Sequence, residues 1–225
     1  MFDYVDTIIS SFQPASNPQI AKGQSAYMKN RFAFFGIKSP ERKALQQPFF
    51  HKDQRPDKSD LTEVVKSLWQ QPQRELQYSA QELALKYLKN QTRNDLKLYE
   101  YMITHKSWWD TVDFIASNLV GSYFKHFPNE KQTAIDKWLA SENIWLQRTA
   151  LLFQLKYKNQ IDESSLKYII TNLLGSDEFF INKAIGWILR EYSKTNPTWV
   201  TGFVYETDLH PLSKREALKW LSSKK

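Results

Sequence analysis

Three places in the chain combine residue types that could do chemistry. In KSWWDTVDFIA (106–116), Trp109 and Asp113 stand four positions apart, one turn of a helix, so their side chains share a face. A carboxylate beside an aromatic face can be part of a site that stabilises a cation. In FFINKAIGWILREYSK (179–194), the angular neighbours of Trp187 are Lys183, Arg190 and Phe180, with Lys194 just beyond. A π-face among cations suits a nucleic acid. Arg148 has Ile144, Leu151, Leu152 and Leu155 as helical neighbours, and a guanidinium in such surroundings needs a partner because unpaired burial is costly. That partner is an internal carboxylate in one reading and a phosphate, held in a two-pronged contact, in the other. Each feature also has a plain structural reading: tryptophans packed at a helix seam, solvated lysines, a common internal ion pair.

Helices must hold these residues, and helical angle separates core from surface. At about 100° per residue, Trp108, Val112, Ile115 and Leu119 form one apolar stripe. Trp108 therefore faces the core, whereas Trp109 and Asp113 take another face, which Val120 shares. Ile181, Ile185, Ile188 and Tyr192 make a second stripe that leaves Trp187 outside it. The same periodicity predicts helices over 3–12, 18–30, 40–50, 59–70, 72–89, 93–104, 107–120, 129–140, 143–157, 163–174, 178–193, 197–205 and 212–222. Prolines at Asn17-Pro18, Ser39-Pro40, Gln71-Pro72 and Asn196-Pro197 mark first turns. No segment shows strand alternation. Short helices with tight turns, paired every ~35–40 residues, predict an all-α fold: an α-solenoid of degenerate HEAT-like repeats over 1–225, a single domain with a concave basic surface.

Composition narrows the classes. Hydrophobic residues make up 41% of the 225 and aromatics 15%, which is globular rather than disordered, and only 6 are glycine, which favours helices. The chain has no cysteine, so thiolate chemistry and disulfides are excluded. His51, His105, His126 and His210 lack metal-ligand spacing. Glycine-rich phosphate loops, dinucleotide fingerprints, HExxH and GxSxG are all absent. No apolar run is long enough to span a membrane and no signal peptide is visible, so a cytoplasmic protein, nucleoid-associated if its partner is DNA, is expected. The net charge of +7 fits an anionic partner as well as a merely basic protein, and the location of the charges must decide. Basic and aromatic residues gather near helix ends at Tyr27–Arg31, at Lys38 and Arg42-Lys43, and at Lys214-Arg215.

The stretches YMKNRFAFFGIKSPERK (27–43), KSWWDTVDFIA (106–116), NIWLQRTALLFQLKYK (143–158), FFINKAIGWILREYSKTNPTWV (179–200) and PLSKREALK (211–219) resemble the AlkD-type DNA alkylation-repair glycosylases, built from HEAT-like repeats. The resemblance covers nearly the whole chain. It implies that Asp113 is the catalytic carboxylate, that Trp109 and Trp187 flank the lesion, and that Arg148 contacts the DNA backbone. Tyr27, Lys38, Lys156, Lys183, Arg190, Lys214 and Arg215 complete the expected DNA-binding set. The implied partner is double-stranded DNA carrying N3-methyladenine or N7-methylguanine, with no cofactor, no metal, no membrane and a monomeric chain. The chemistry is consistent with the residues. A cationic purine is already a good leaving group, so one carboxylate can stabilise the oxocarbenium sugar and direct a water while aromatic faces add ~1–2 kcal/mol each. The resemblance further implies excision without base flipping. A non-catalytic module for damaged or branched DNA and a protein-binding α-solenoid remain alternatives.

Overall fold

Amphipathic helices account for most of residues 2–223, the part of the chain that the computed structural model describes. Fourteen α-helices occur among the described residues, with no strand beyond one isolated bridge between Ala33 and Gln73. The fold is all-α, of solenoid-like helical repeats. The chain divides into two compact units, Met1–Gln91 and Thr92–Lys225.

The first unit holds α1 (Phe2–Phe12), α2 (Pro18–Tyr27), α3 (Ser39–Gln46), α4 (Leu61–Gln70) and α5 (Arg74–Leu85). Asn17 caps α2, its side chain accepting from Gln19 N at 3.0 Å and Ile20 N at 3.1 Å, with Pro18 in the first turn. This satisfies two otherwise orphaned donors. The connection from α2 to α3 is held by a buried carboxylate. Glu75 accepts from the backbone N–H groups of Phe35, Gly36 and Ile37 at 3.1, 2.9 and 3.2 Å. Gly36 is required there, because its φ is +88° and a Cβ would lie 2.0 Å from Asn17 O.

The second unit holds α6 (Asp95–Thr104), α7 (Trp109–Phe114), α8 (Gly121–His126), α9 (Lys131–Ala140), α10 (Ile144–Leu152), α11 (Glu163–Asn172), α12 (Phe179–Ser193), α13 (Pro197–Glu206) and α14 (Pro211–Ser222). Helix α10 is central and packs on α6, α7, α9, α11 and α12. Asn143 caps it by accepting from Trp145 N and Leu146 N. The predicted core stripes are in place: Val112, Ile115 and Leu119 are fully buried, as are Ile181 and Ile188.

Several helices stop short of their predicted ends, among them α3, α5 and α10, and around α7 two local features depart from the periodic reading. Trp108 is not the first turn of a helix but its N-cap, in extended conformation with φ −159° and ψ 160°. Its side chain is nevertheless buried. A π turn over Ile115–Val120 then joins α7 to α8, so helix runs unbroken past position 120, across Gly121, to His126. The wider turn displaces the angular register, and Val120, expected on the face of Trp109 and Asp113, is fully buried instead. Gly121 does not stop the helix. A side chain there would lie 2.6 Å from Phe153 O, so glycine admits a close crossing of the two backbones.

Candidate active site

The first turn of α7 is fixed by an aromatic cluster. The ring centroid of Trp108 lies 5.0 Å from that of Phe180 and 5.7 Å from that of Trp145, and Trp145 and Phe180 are 5.0 Å apart. These three rings bind the start of α7 to the starts of α10 and α12 through large, well-oriented contacts. Trp108 is thereby committed to packing. Trp109, the next residue, is half-buried on a different face, with Asp113 one turn further on.

Asp113 is held in a two-pronged ion pair. Arg148 Nε donates to its Oδ1 at 2.7 Å and Nη2 donates to Oδ2 at 2.9 Å, while Nη1 donates to the backbone carbonyl of Phe180. One guanidinium thus ties α7 to α12 from its place on α10. The side chains of Arg148 and Asp113 are 6% and 14% exposed. The arginine is the inner member of the pair and the carboxylate the outer one. Of the two arrangements open to Arg148 in the sequence, the internal ion pair is the one present. Arg148, expected at the DNA backbone, has its guanidinium in this internal pair, because the leucine-lined face of α10 that carries it is packed inward.

Burial pushes the Asp113 carboxyl above its ordinary range. The hydrogen bonds and charge of Arg148 oppose this, and the neighbouring Asp110 adds to it. The net direction is upward. The bidentate arginine uses one lone pair on each oxygen. The remaining lone pairs belong to a side chain that is 14% exposed, which leaves room for a water or a positively charged group to meet them.

Helix α12 supplies the second aromatic. Trp187 lies seven residues after Phe180 and so shares its face. It is half-buried, which suits a contact surface. Lys183 and Arg190, read from the sequence as backbone contacts on this face, are each paired: Lys183 Nζ lies 3.1 Å from Glu216 Oε1, and Arg190 Nη1 lies 2.9 Å from Glu216 Oε2. Beyond the π turn, Lys156 is exposed and its Nζ donates to Asn118 Oδ1 at 2.6 Å. Lys214 and Arg215 are exposed near the start of α14, with Lys214 Nζ 5.2 Å from the ring centroid of the exposed Tyr205.

Two expected DNA contacts fall in the first unit. Tyr27 ends α2 and is 69% exposed. Lys38 is the exposed N-cap of α3. Arg42, read with Lys38 and Lys43 as part of a basic helix end, is buried and pairs with Glu82 at 2.7 Å. Reading the helix end as uniformly basic overlooked the carboxylate supplied by α5.

His105 is accounted for structurally. Its Nδ1 lies 2.9 Å from Tyr101 O and its ring stacks on that of Tyr101 at 4.1 Å. Among the described residues no group of three His, Asp or Glu side chains could hold a metal ion, and no helix is long and apolar enough to cross a membrane.

Sequence reasoning missed three participants: Trp145 and Phe180 in the ring cluster, and Glu216 beneath the cations. The doublet Phe179-Phe180, with one exposed ring and one packed ring, could have been split by angle as Trp108-Trp109 was. Glu216 directly follows the basic pair Lys214-Arg215, which drew attention to charge of the opposite sign.

No protein of curated function matches the chain. A solved structure described as a predicted DNA alkylation repair enzyme from Enterococcus faecalis superposes with a TM-score of 0.85 at 37% identity, over 92% of this chain and 97% of that one. The family model for the DNA alkylation repair enzymes matches residues 8–221. With nearly all of its helical array covered by that match, the chain belongs to the DNA alkylation repair enzyme family.

Proposed function

We propose that this protein is a monofunctional DNA glycosylase that hydrolyses the N-glycosidic bond of positively charged alkylated purines, N3-methyladenine and N7-methylguanine, in duplex DNA. The observation that carries the reading is the Asp113–Arg148 pair: a nearly buried carboxylate, oriented from behind by two hydrogen bonds of 2.7 and 2.9 Å. Such a carboxylate is preorganised rather than mobile, and preorganised charge stabilises a developing cation without reorganisation at the moment of reaction.

The mechanism follows from what each group can do. The alkylated base departs with its electron pair and becomes neutral, so it needs no proton donor. The deoxyribose is left as an oxocarbenium ion. Asp113 faces that positive charge and accepts a hydrogen bond from the water that adds to C1′. As the water bonds to carbon its proton passes to the carboxylate, and the products are the free base and an abasic site. Trp109, one turn from Asp113, and Trp187 on α12 offer π-faces to the cationic sugar and base. Their half-buried positions support contact made from the surface of the duplex, so in this reading the base is excised without being flipped. Tyr27, Lys38, Lys156, Lys214 and Arg215 serve the phosphates.

Asp113→Asn tests the reading. The variant is expected to lose release of N7-methylguanine from methylated duplex, measured by mass spectrometry of freed bases, while still binding duplex at low salt. Release at the wild-type rate would remove Asp113 from the mechanism. A wild-type chain that binds methylated duplex but frees no base would identify a non-catalytic DNA-binding member of the family.

A further inference from the structure

Glu216 is the carboxylate that Lys183 and Arg190 share, and its setting is unusually constrained. Its side chain is 13% exposed, against 36% for Lys183 and 27% for Arg190. The anion is therefore the inner member and the two cations lie nearer to solvent. Lys183 and Arg190 are seven residues apart on α12, on one face, with Trp187 between them. The two cations and one anion leave a single net positive charge beside the tryptophan.

The carboxylate is anchored through its backbone. A Cβ at Gly186 would lie 2.5 Å from Glu216 Cβ and 2.8 Å from Ser213 O, so α14 rests on α12 at this point. One turn earlier in α14 the fully buried Ser213 donates to Asn182 O at 2.9 Å. Burial alone would push the Glu216 carboxyl up, but the hydrogen bond and charge of Lys183 and the charges of Arg190 and Lys219 outweigh it and hold the group below its ordinary value. At neutral pH it is charged. It has too little solvent contact to lose both cations without a desolvation penalty.

Resting on the reading that this face meets duplex DNA, we propose that Glu216 is a tethered competitor of the DNA phosphates. It holds Lys183 and Arg190 in place beside Trp187 and cancels one of their two charges. Each phosphate that approaches there must draw a cation from an internal anion. The grip on undamaged duplex is weakened at the position where an aromatic face meets the strand, and the enzyme leaves such sites sooner.

The measurement is a salt titration of binding to undamaged duplex, using the full chain. Glu216→Gln keeps the shape and removes the charge. It is expected to bind several-fold tighter at low salt, with the dependence of log K on log salt steeper by about 0.9, the value of one phosphate contact. Equal or weaker binding with an unchanged slope overturns the proposal. Lys183→Met provides a check that does not rely on the stability of that variant. In the wild-type background it should change the slope by well under 0.9, and in the Glu216→Gln background by about 0.9. A full loss in the wild-type background overturns the proposal. Base release from methylated duplex by the wild type separates the levels: activity with a neutral Glu216→Gln removes this inference alone, whereas no duplex binding by the wild type removes the reading beneath it as well.

Discussion

At the scale of single residues, the chemistry proposed above rests on opposing influences upon one carboxyl group. Burial raises the Asp113 pKa and Arg148 lowers it, with burial prevailing. Catalysis as proposed needs the ionised form. The rate of base release should therefore fall as pH drops through a value above the ordinary aspartate value of 3.8, seen as an acidic limb in single-turnover rate against pH. Arg148→Ala removes the lowering influences and leaves the raising ones. Its acidic limb should move to higher pH. Breaking a buried ion pair from one side should also cost about 3 kcal/mol of stability, read from denaturant unfolding. Because the guanidinium faces Asp113 and Phe180 O, the salt dependence of duplex binding should be unchanged in this variant. A lysine at 148 would not restore the pair, since an ammonium lacks the planar fork.

At the scale of elements, much of the arrangement was legible in the sequence. The stripes Val112, Ile115, Leu119 and Ile181, Ile185, Ile188 repeat at helical spacing, and this alone placed Trp108 inward and Trp109 elsewhere. Asparagine before proline correctly marked the starts of α2 and α13. The rest was hidden because it is tertiary. Nothing local names Asp113 as the partner of Arg148, 35 positions away, or Glu216 as the partner of Lys183. The π turn was hidden for another reason: Ile115–Val120 is apolar at several angles, and a periodic template absorbs one extra residue without protest. The turn is supported by its side chains, with Ser117 Oγ donating to Asp113 O and Asn118 Nδ2 donating to Phe114 O, both at 2.8 Å. Close helix contact is the other element-scale demand. Gly186→Ala would set a methyl group 2.5 Å from Glu216 Cβ, and overpacking of that kind should cost about 1–3 kcal/mol, measured as a lowered unfolding midpoint with the pitch of α12 against α14 disturbed.

At the scale of the whole molecule, the residues of the proposed reaction divide between the two units. Trp109, Asp113, Arg148, Trp187 and Glu216 all belong to Thr92–Lys225, while Tyr27 and Lys38 belong to Met1–Gln91. Substitution in the first unit should therefore alter binding and leave chemistry alone. Tyr27→Ala is expected to raise the Kd for methylated duplex and to keep the single-turnover rate at saturating enzyme, a separation that kinetics under excess enzyme reads directly. Not all of the 31 lysines and arginines are open to DNA, since Arg42, Arg148, Lys183 and Arg190 each face an internal carboxylate.

The third bond of Arg148 ends on a main-chain oxygen, that of Phe180. A carbonyl of the peptide link is present whatever side chain the codon specifies. The anchor for the arginine is thus written in the path of the chain and is immune to point mutation at position 180, so the Phe180 ring is free to drift in a lineage under selection for packing alone. Asp113 has no such insurance: its half of the bond exists in a single side chain, and a substitution there removes the pair outright.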